Sequence, residues 1–313
     1  MLKDNKILSI QYLRGLAALS VVFCHYGIFG PGQLGVFVFF FISGFIIVYS
    51  LSKSDYKPRY FLKFLLKRSI RIDPAYFATI LLTCLFFIAL SYVPSFKGKP
   101  FVLIPGQLVA HIFYVVPFTK YPFYNNVFWT LCVEFQFYLI IGVLYFISNS
   151  RLYKIIFLIV FSVTCFVHFS NSYFLIFTYA PIFALGISLI DFYQTKHPIH
   201  VVLPIILTGL VLYRFGLTIS ILLVISGLIV LYFKLVIKQL SFLGDISYSL
   251  YLIHPLVLFT ILGVLKKLHL NTATNQYLWL SGEVVTAVCT AYLFYILIEK
   301  PSQKLSKRIN IKG

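Results

Sequence analysis

The chain has 313 residues, 60% apolar and only 11% charged, so the balance of a soluble domain, near half apolar and about a quarter charged, is excluded. The same composition excludes disorder, a collagen repeat and a small disulfide scaffold. The net charge of +18, from 26 Lys+Arg against 8 Asp+Glu, sits in short stretches between apolar runs, where it marks membrane topology and contact with anionic lipids and not a nucleic-acid surface.

At about 20 residues per crossing, the apolar sequence supplies about ten transmembrane helices. The fold expected is therefore all-α and integral to the membrane, a single transmembrane domain over residues 1–313. The first apolar run, 8 to 29, carries Arg14 inside it and has no small-residue cleavage site, so it reads as a span and not as a signal peptide. Further spans are expected at 34–51, 74–93, 127–147, 153–169, 173–191, 199–213, 217–237, 246–265 and 276–298. Residues 58–72, PRYFLKFLLKRSIRI, alternate apolar and basic at helical spacing, which predicts a helix on the inner membrane face leading into the third span. Residues 94–126 form a long outer loop. Its apolar part, 101–118, is interrupted by Pro105 and Pro117 and is too short to cross, so it reads as re-entrant or interfacial.

An even number of spans puts both termini on one side. Of the Lys and Arg outside the spans, nineteen fall on the side of the termini and six on the other (Lys97, Lys99, Lys120, Arg214, Lys266 and Lys267), which predicts a cytoplasmic N- and C-terminus. Cys24, Cys84, Cys132, Cys165 and Cys289 all lie in apolar runs. They read as small core hydrophobes, with no disulfide framework and no metal-ligand spacing.

A charge at bilayer depth is unfavourable by several kcal/mol unless paired or hydrated, which makes such residues functional candidates. Arg14 and His25 are two of them. Eleven residues at about 100° each bring both side chains to one face of the first span, about 16 Å apart along its axis. A permanent cation near the inner end and a titratable imidazole deeper in would line one wall of a channel; the plainer alternative is a snorkelling arginine and a satisfied histidine. Glu134, in WTLCVEFQFYL, must be protonated or paired; it either orients an imidazole or pins two helices together. Glu283 invites the same question and reads as a structural pairing. In LGDISYSLYLIHP, Ser247, Tyr251 and His254 share one helix face, and Pro255 frees carbonyls that need a partner. On the inner face, Arg68 and Arg71 stand one turn apart, able to grip a phosphate together, with Lys67 and Asp73 beside them. His168, His197, His200 and His269 carry no evident chemistry.

Together these segments resemble the acyltransferase-3 family of integral membrane acyltransferases, over about residues 7 to 301. QYLRGLAALSVVFCH matches its first-span motif at Arg14 and His25, GVFVFFFISGFII the second-span motif, FLLKRSIRIDP the paired arginines Arg68 and Arg71, WTLCVEFQFYL the motif at Glu134, and LGDISYSLYLIHP with IEKP the closing motifs at His254 and Glu299. The resemblance implies transfer of an acyl group, usually acetyl, from cytoplasmic acyl-CoA to a hydroxyl of a cell-surface polysaccharide or lipid-linked glycan, at a bacterial inner membrane. In that picture His25 is the catalytic histidine, as base or acyl carrier. Arg14, Arg68 and Arg71 bind the CoA end, Glu134 is its catalytic partner, and Tyr251 and His254 are secondary. Acetyl-CoA is then a donor substrate; no permanently bound cofactor and no metal are expected. The chain departs from the family's commoner residues at Phe37, Phe135, Asp73 and Gln11, and no appended extracytoplasmic domain is expected. A transporter of a glycan, a lipid or protons would also use buried Arg, His and Glu, but it would commonly show internal repeats, and none is evident.

Overall fold

The structure is a computed structural model that describes residues 7–26, 32–93, 101–145, 150–167, 171–267 and 276–311; His168 and His269 lie outside these segments. Twelve α-helices and several short 3₁₀ turns make up the described chain, with no strand among the described residues. In order they are α1 (Leu8–His25), α2 (Gln33–Ser52), α3 (Phe61–Ser91), α4 (Pro105–Ile112), α5 (Phe128–Leu144), α6 (Arg151–Val163), α7 (Ile176–Thr195), α8 (Val202–Phe215), α9 (Leu217–Tyr232), α10 (Lys238–Lys267), α11 (Gln276–Phe294) and α12 (Lys300–Ser306).

An α-helix lies over each expected span. Seven helical stretches are long and apolar enough to cross a membrane, and α5 and α9 are shorter apolar helices. Large apolar side chains such as Leu81 and Leu85 of α3, Ile205 and Ile206 of α8 and Leu293 of α11 stand exposed. Such an outer surface suits a lipid solvent, in which helices satisfy their own backbone groups.

Without water to drive helices together, close approach depends on small residues at the crossings. The centre of the bundle is the crossing of α2 and α7. A Cβ on Gly44 would lie 2.2 Å from the Phe183 carbonyl oxygen, and one on Gly186 would lie 2.2 Å from that of Phe41. Only glycine lets the two backbones touch. Aromatic rings fill the space around them, with Phe40 on Phe183 at 4.9 Å and Phe137 on Phe183 at 4.5 Å.

The surface helix expected over 58–72 and the third span are one element. After a 3₁₀ turn at Pro58–Tyr60, α3 runs from Phe61 to Ser91 through Pro74. Packing of α3 on α5, α10 and α12 holds the helix together across the missing backbone donor, a tolerance of proline common in membrane helices. The chain end returns to the start of α3, where Lys67 Nζ donates to the Ile309 carbonyl at 3.0 Å.

The outer connection folds back into the bundle. Proline suits the first turn of a helix, and α4 begins at Pro105. Tyr114, at φ 58°, then reverses the chain. Its hydroxyl donates to Asp73 Oδ1 of α3 at 2.8 Å, and its ring stacks on Tyr76 at 4.9 Å and on Phe135 at 4.6 Å. His111 of α4 is fully buried. Its Nδ1 lies 2.8 Å from the Gln107 carbonyl and its Nε2 accepts the Tyr124 N–H at 3.1 Å, which fixes a neutral ring with the hydrogen on Nδ1. Burial pushes its pKa below the ordinary histidine value.

Candidate active site

The site is organised along α1. Its N-terminal half holds Arg14, half-buried, and its C-terminal residue is His25, which is exposed at the helix end and not deep within the bundle as expected. Helix geometry keeps the two on one face, about 16 Å apart. They therefore belong to two different neighbourhoods.

The first neighbourhood is cationic. Arg14 lies within electrostatic reach of Arg71, Glu299 and Glu134, and Arg68 within reach of Arg71 and Glu134. The structure thus brings together the three arginines singled out in the sequence. The Arg68 guanidinium lies over the rings of Phe64 (5.6 Å) and Tyr138 (5.7 Å), and its Nε is buried without a hydrogen-bond partner. No ion pair within 4 Å forms in this cluster among the described residues; elsewhere Lys154 pairs with Asp191 at 2.6 Å and joins α6 to α7. A small cavity between α3 and α5 opens here, lined by Arg68, Asp73, Glu134 and Tyr138 among others.

Glu134 belongs to this cationic end. Its Oε1 accepts from the Ser43 hydroxyl at 2.9 Å and from the Tyr138 hydroxyl at 2.6 Å, tying α5 to α2. In this arrangement Glu134 joins two helices, the first of the two roles open in the sequence being left to its side chain's charge. Tyr138 stands one turn after Glu134, so i,i+4 spacing could have found it; Ser43 carries no such signal. Glu299 closes the same end. It sits in the π-helical turn Tyr295–Glu299, where it accepts the backbone N–H of Ser249 at 3.1 Å and the Gln303 amide at 2.8 Å. Such turns recur at functional sites because they re-aim a side chain within a helix.

The second neighbourhood is the C-terminal end of α1, where His25 meets α10. Gly15 and Gly244 let the two helices touch, and His25 and His254 then face each other with ring centres 5.1 Å apart. His254 is fully buried. Ser247, Tyr251 and His254 share one face of α10, and the first two are hydrogen-bonded within the fold. The Ser247 hydroxyl donates to the Gly244 carbonyl at 2.8 Å, and the Tyr251 hydroxyl pairs with Thr130 at 2.8 Å at the start of α5. Glu283 is buried on α11 within electrostatic reach of Tyr26, whose hydroxyl has no partner.

Three departures have visible consequences. Phe37 joins an aromatic cluster with Phe215 (5.5 Å) and Tyr179 (6.1 Å), Phe135 stacks on Tyr114, and Gln11 leaves its Oε1 buried without a donor one turn before Arg14.

The sequence profile of a family described as an acyltransferase domain matches residues 7–298, nearly the whole chain and every residue of both neighbourhoods except Glu299. The chain belongs to the acyltransferase-3 family of integral membrane acyltransferases. Among curated relatives, this family member is 32% identical over 150 residues to a protein called putative acetyltransferase ORF330 of Acidianus two-tailed virus, over 45% of this chain and 42% of the relative. It is 33% identical over 124 residues to nodulation protein 10 of Rhizobium leguminosarum bv. viciae, over 35% of this chain and 32% of that relative. The matched stretches thus cover less than half the length of either relative. No solved structure matches the acyltransferase-3 chain.

Proposed function

We propose that this acyltransferase-3 protein moves an acyl group, acetyl in the simplest case, from cytoplasmic acyl-CoA to a hydroxyl of a cell-surface polysaccharide or lipid-linked glycan. It would sit in a bacterial inner membrane with both termini in the cytoplasm. The observation that carries this reading is the two-ended face of α1. Three arginines without an ion-pair partner lie at one end, and an exposed imidazole lies about 16 Å away at the other. Unpaired guanidiniums at membrane depth are unfavourable unless an anion joins them, and phosphates fit their fork of donors. A phosphorylated carrier with a long thioester-tipped arm fits both ends at once.

In the reaction, a nitrogen of His25 takes the proton of the acceptor hydroxyl as its oxygen attacks the thioester carbonyl. The tetrahedral intermediate collapses by breaking the carbon–sulfur bond. The departing thiolate takes the proton back from the imidazolium, leaving an ester, free CoA and neutral His25. Acylation of His25 followed by transfer to the same hydroxyl gives the same products. The outer loop, folded against α3 and α5, is the natural side of approach for a glycan. Glu134 and Glu299 stay bound to their hydrogen-bond partners and leave the guanidiniums free for the phosphates.

The test is transfer of labelled acetyl from acetyl-CoA to a glycan acceptor by purified protein in detergent or nanodiscs. Wild type is expected to form an O-acetyl ester and His25→Ala to lose about 100-fold or more in rate. Transfer by His25→Ala at the wild-type rate would remove His25 from the chemistry. An absence of transfer, with surface polysaccharide unchanged on gene deletion, would remove the acceptor class.

A further inference from the structure

His254 carries a ring nitrogen that no group among the described residues uses. Pro255 has no N–H, and its ring crowds the carbonyl four residues back, so the Tyr251 carbonyl loses its helical partner. The imidazole of His254 takes that place, with Nδ1 2.9 Å from the Tyr251 oxygen and 3.1 Å from that of Leu250. Both neighbours are acceptors, so Nδ1 must carry the hydrogen. In the neutral ring, Nε2 is therefore a bare lone pair. That Nε2 is buried with no hydrogen-bond partner, on a side chain that is 0% exposed. Native folds rarely leave such an acceptor without a role. Beside it lies His25, ring centres 5.1 Å apart and planes tilted by 54°. His25 is exposed, so its ring is free to turn about its own side-chain bonds.

We propose that His254 is the positioning residue for His25: during acyl transfer its Nε2 accepts the N–H of His25. This holds His25 in the tautomer whose other nitrogen is bare and turned to the acceptor. The proposal rests on the acyl-transfer reading above. When His25 takes the acceptor proton, the N–H···Nε2 bond becomes charge-assisted and stabilises the imidazolium. The proton stays on His25 until the thiolate leaves, so His254 gains and loses none. An orienting imidazole thus occupies the place a carboxylate fills in the familiar triads, while Glu134, the carboxylate the sequence offers for it, pairs with Ser43 and Tyr138.

Two substitutions separate this role from simple capping of the proline break. The amide nitrogen of His254→Asn stands where Nδ1 was and keeps the bond to Tyr251, but it leaves nothing at the position of Nε2. His254→Gln returns an acceptor to that position. The expected result is that His254→Asn keeps its melting temperature and its KM for acetyl-CoA but loses about 100-fold in kcat, and that His254→Gln recovers part of the loss. Wild-type kcat in His254→Asn would overturn the proposal. A second measurement needs no turnover: histidine-selective 15N NMR of the wild-type protein in micelles, assigned by the signals lost in His25→Ala and His254→Gln. A hydrogen on Nδ1 of His254 with a bare Nε2, and a His25 tautomer that changes in His254→Asn and is kept in His254→Gln, are expected. A hydrogen on Nε2 of His254 would overturn the pairing even if both variants misfold. If wild type transfers no acetyl group, the enzymatic reading fails while the NMR result still decides the pairing.

Discussion

Gly15 of α1 and Gly244 of α10 meet backbone to backbone, and ten residues further along each helix His25 meets His254. A Cβ on Gly244 would fall 2.2 Å from the Gln11 carbonyl oxygen. Since both contacts advance by the same step, α1 and α10 run parallel in fixed register. Gly244→Ala is expected to push the helices apart, lowering stability by about 1–3 kcal/mol as overpacked sites do. Acetyl transfer should fall further than the melting temperature explains. Thermal unfolding in detergent beside the transfer assay checks both; an unchanged melting temperature would mean the helices separate without strain.

Removing an arginine from the cationic end should weaken the donor and leave the acceptor alone. A hydrogen bond to a charged group contributes about 1.5–3 kcal/mol. Arg14→Ala, Arg68→Ala and Arg71→Ala are therefore each expected to raise the Kd for acetyl-CoA by about 10- to 100-fold. Isothermal calorimetry measures this directly. Arg68→Lys should recover little, because the flat guanidinium lies over the rings of Phe64 and Tyr138 and a lysine ammonium cannot stack on them or form the same fork of donors. Unchanged binding in all three alanine variants would return these residues to topology.

Glu134→Gln distinguishes a helix pin from a catalytic partner. The amide oxygen still accepts from Ser43 and Tyr138, so stability should hold. Losing one of the carboxylates near the arginines should tighten acetyl-CoA binding by about 1 kcal/mol, roughly fivefold. Turnover should change little. A drop in kcat of about 100-fold at unchanged binding would instead make Glu134 part of the chemistry.

The outer connection should be sensitive to acid through His111. Burial lowers its pKa in the folded protein below the ordinary value of 6.5. As pH falls through that value, the unfolded ring takes a proton that the folded one refuses, so stability held above about pH 6.5 is progressively lost. Wild type is expected to melt at lower temperature at pH 5 than at pH 7. The fall should shrink in His111→Gln, whose amide oxygen still accepts the Tyr124 N–H without titrating. Equal pH slopes in the two proteins would show that other groups carry the dependence.

Much of the cationic end was legible in the chain itself. Arg14 and His25 share a face because eleven residues make three turns and a little more, and Arg68 and Arg71 stand together because they are one turn apart. Tyr138 lay within the same logic, one turn after Glu134. The wide apolar runs also marked the ten longer helices, although the longest, α3, absorbed a segment that its basic residues assigned to the membrane surface. Local periodicity does not say where a helix stops when tertiary contacts hold it together across a proline.

The sequence by itself determined that this is a helical membrane protein with ionisable residues placed on its helices, because composition and helical spacing are properties of short stretches of chain. Tertiary structure decided the partners. It gave Glu134 to Ser43 and Tyr138, Tyr251 to Thr130 and the buried nitrogen of His254 to the side of His25. Those pairings depend on which helices touch and at what height. That is set by glycine contacts between segments more than two hundred residues apart, as at Gly15 and Gly244, and no local spacing records it.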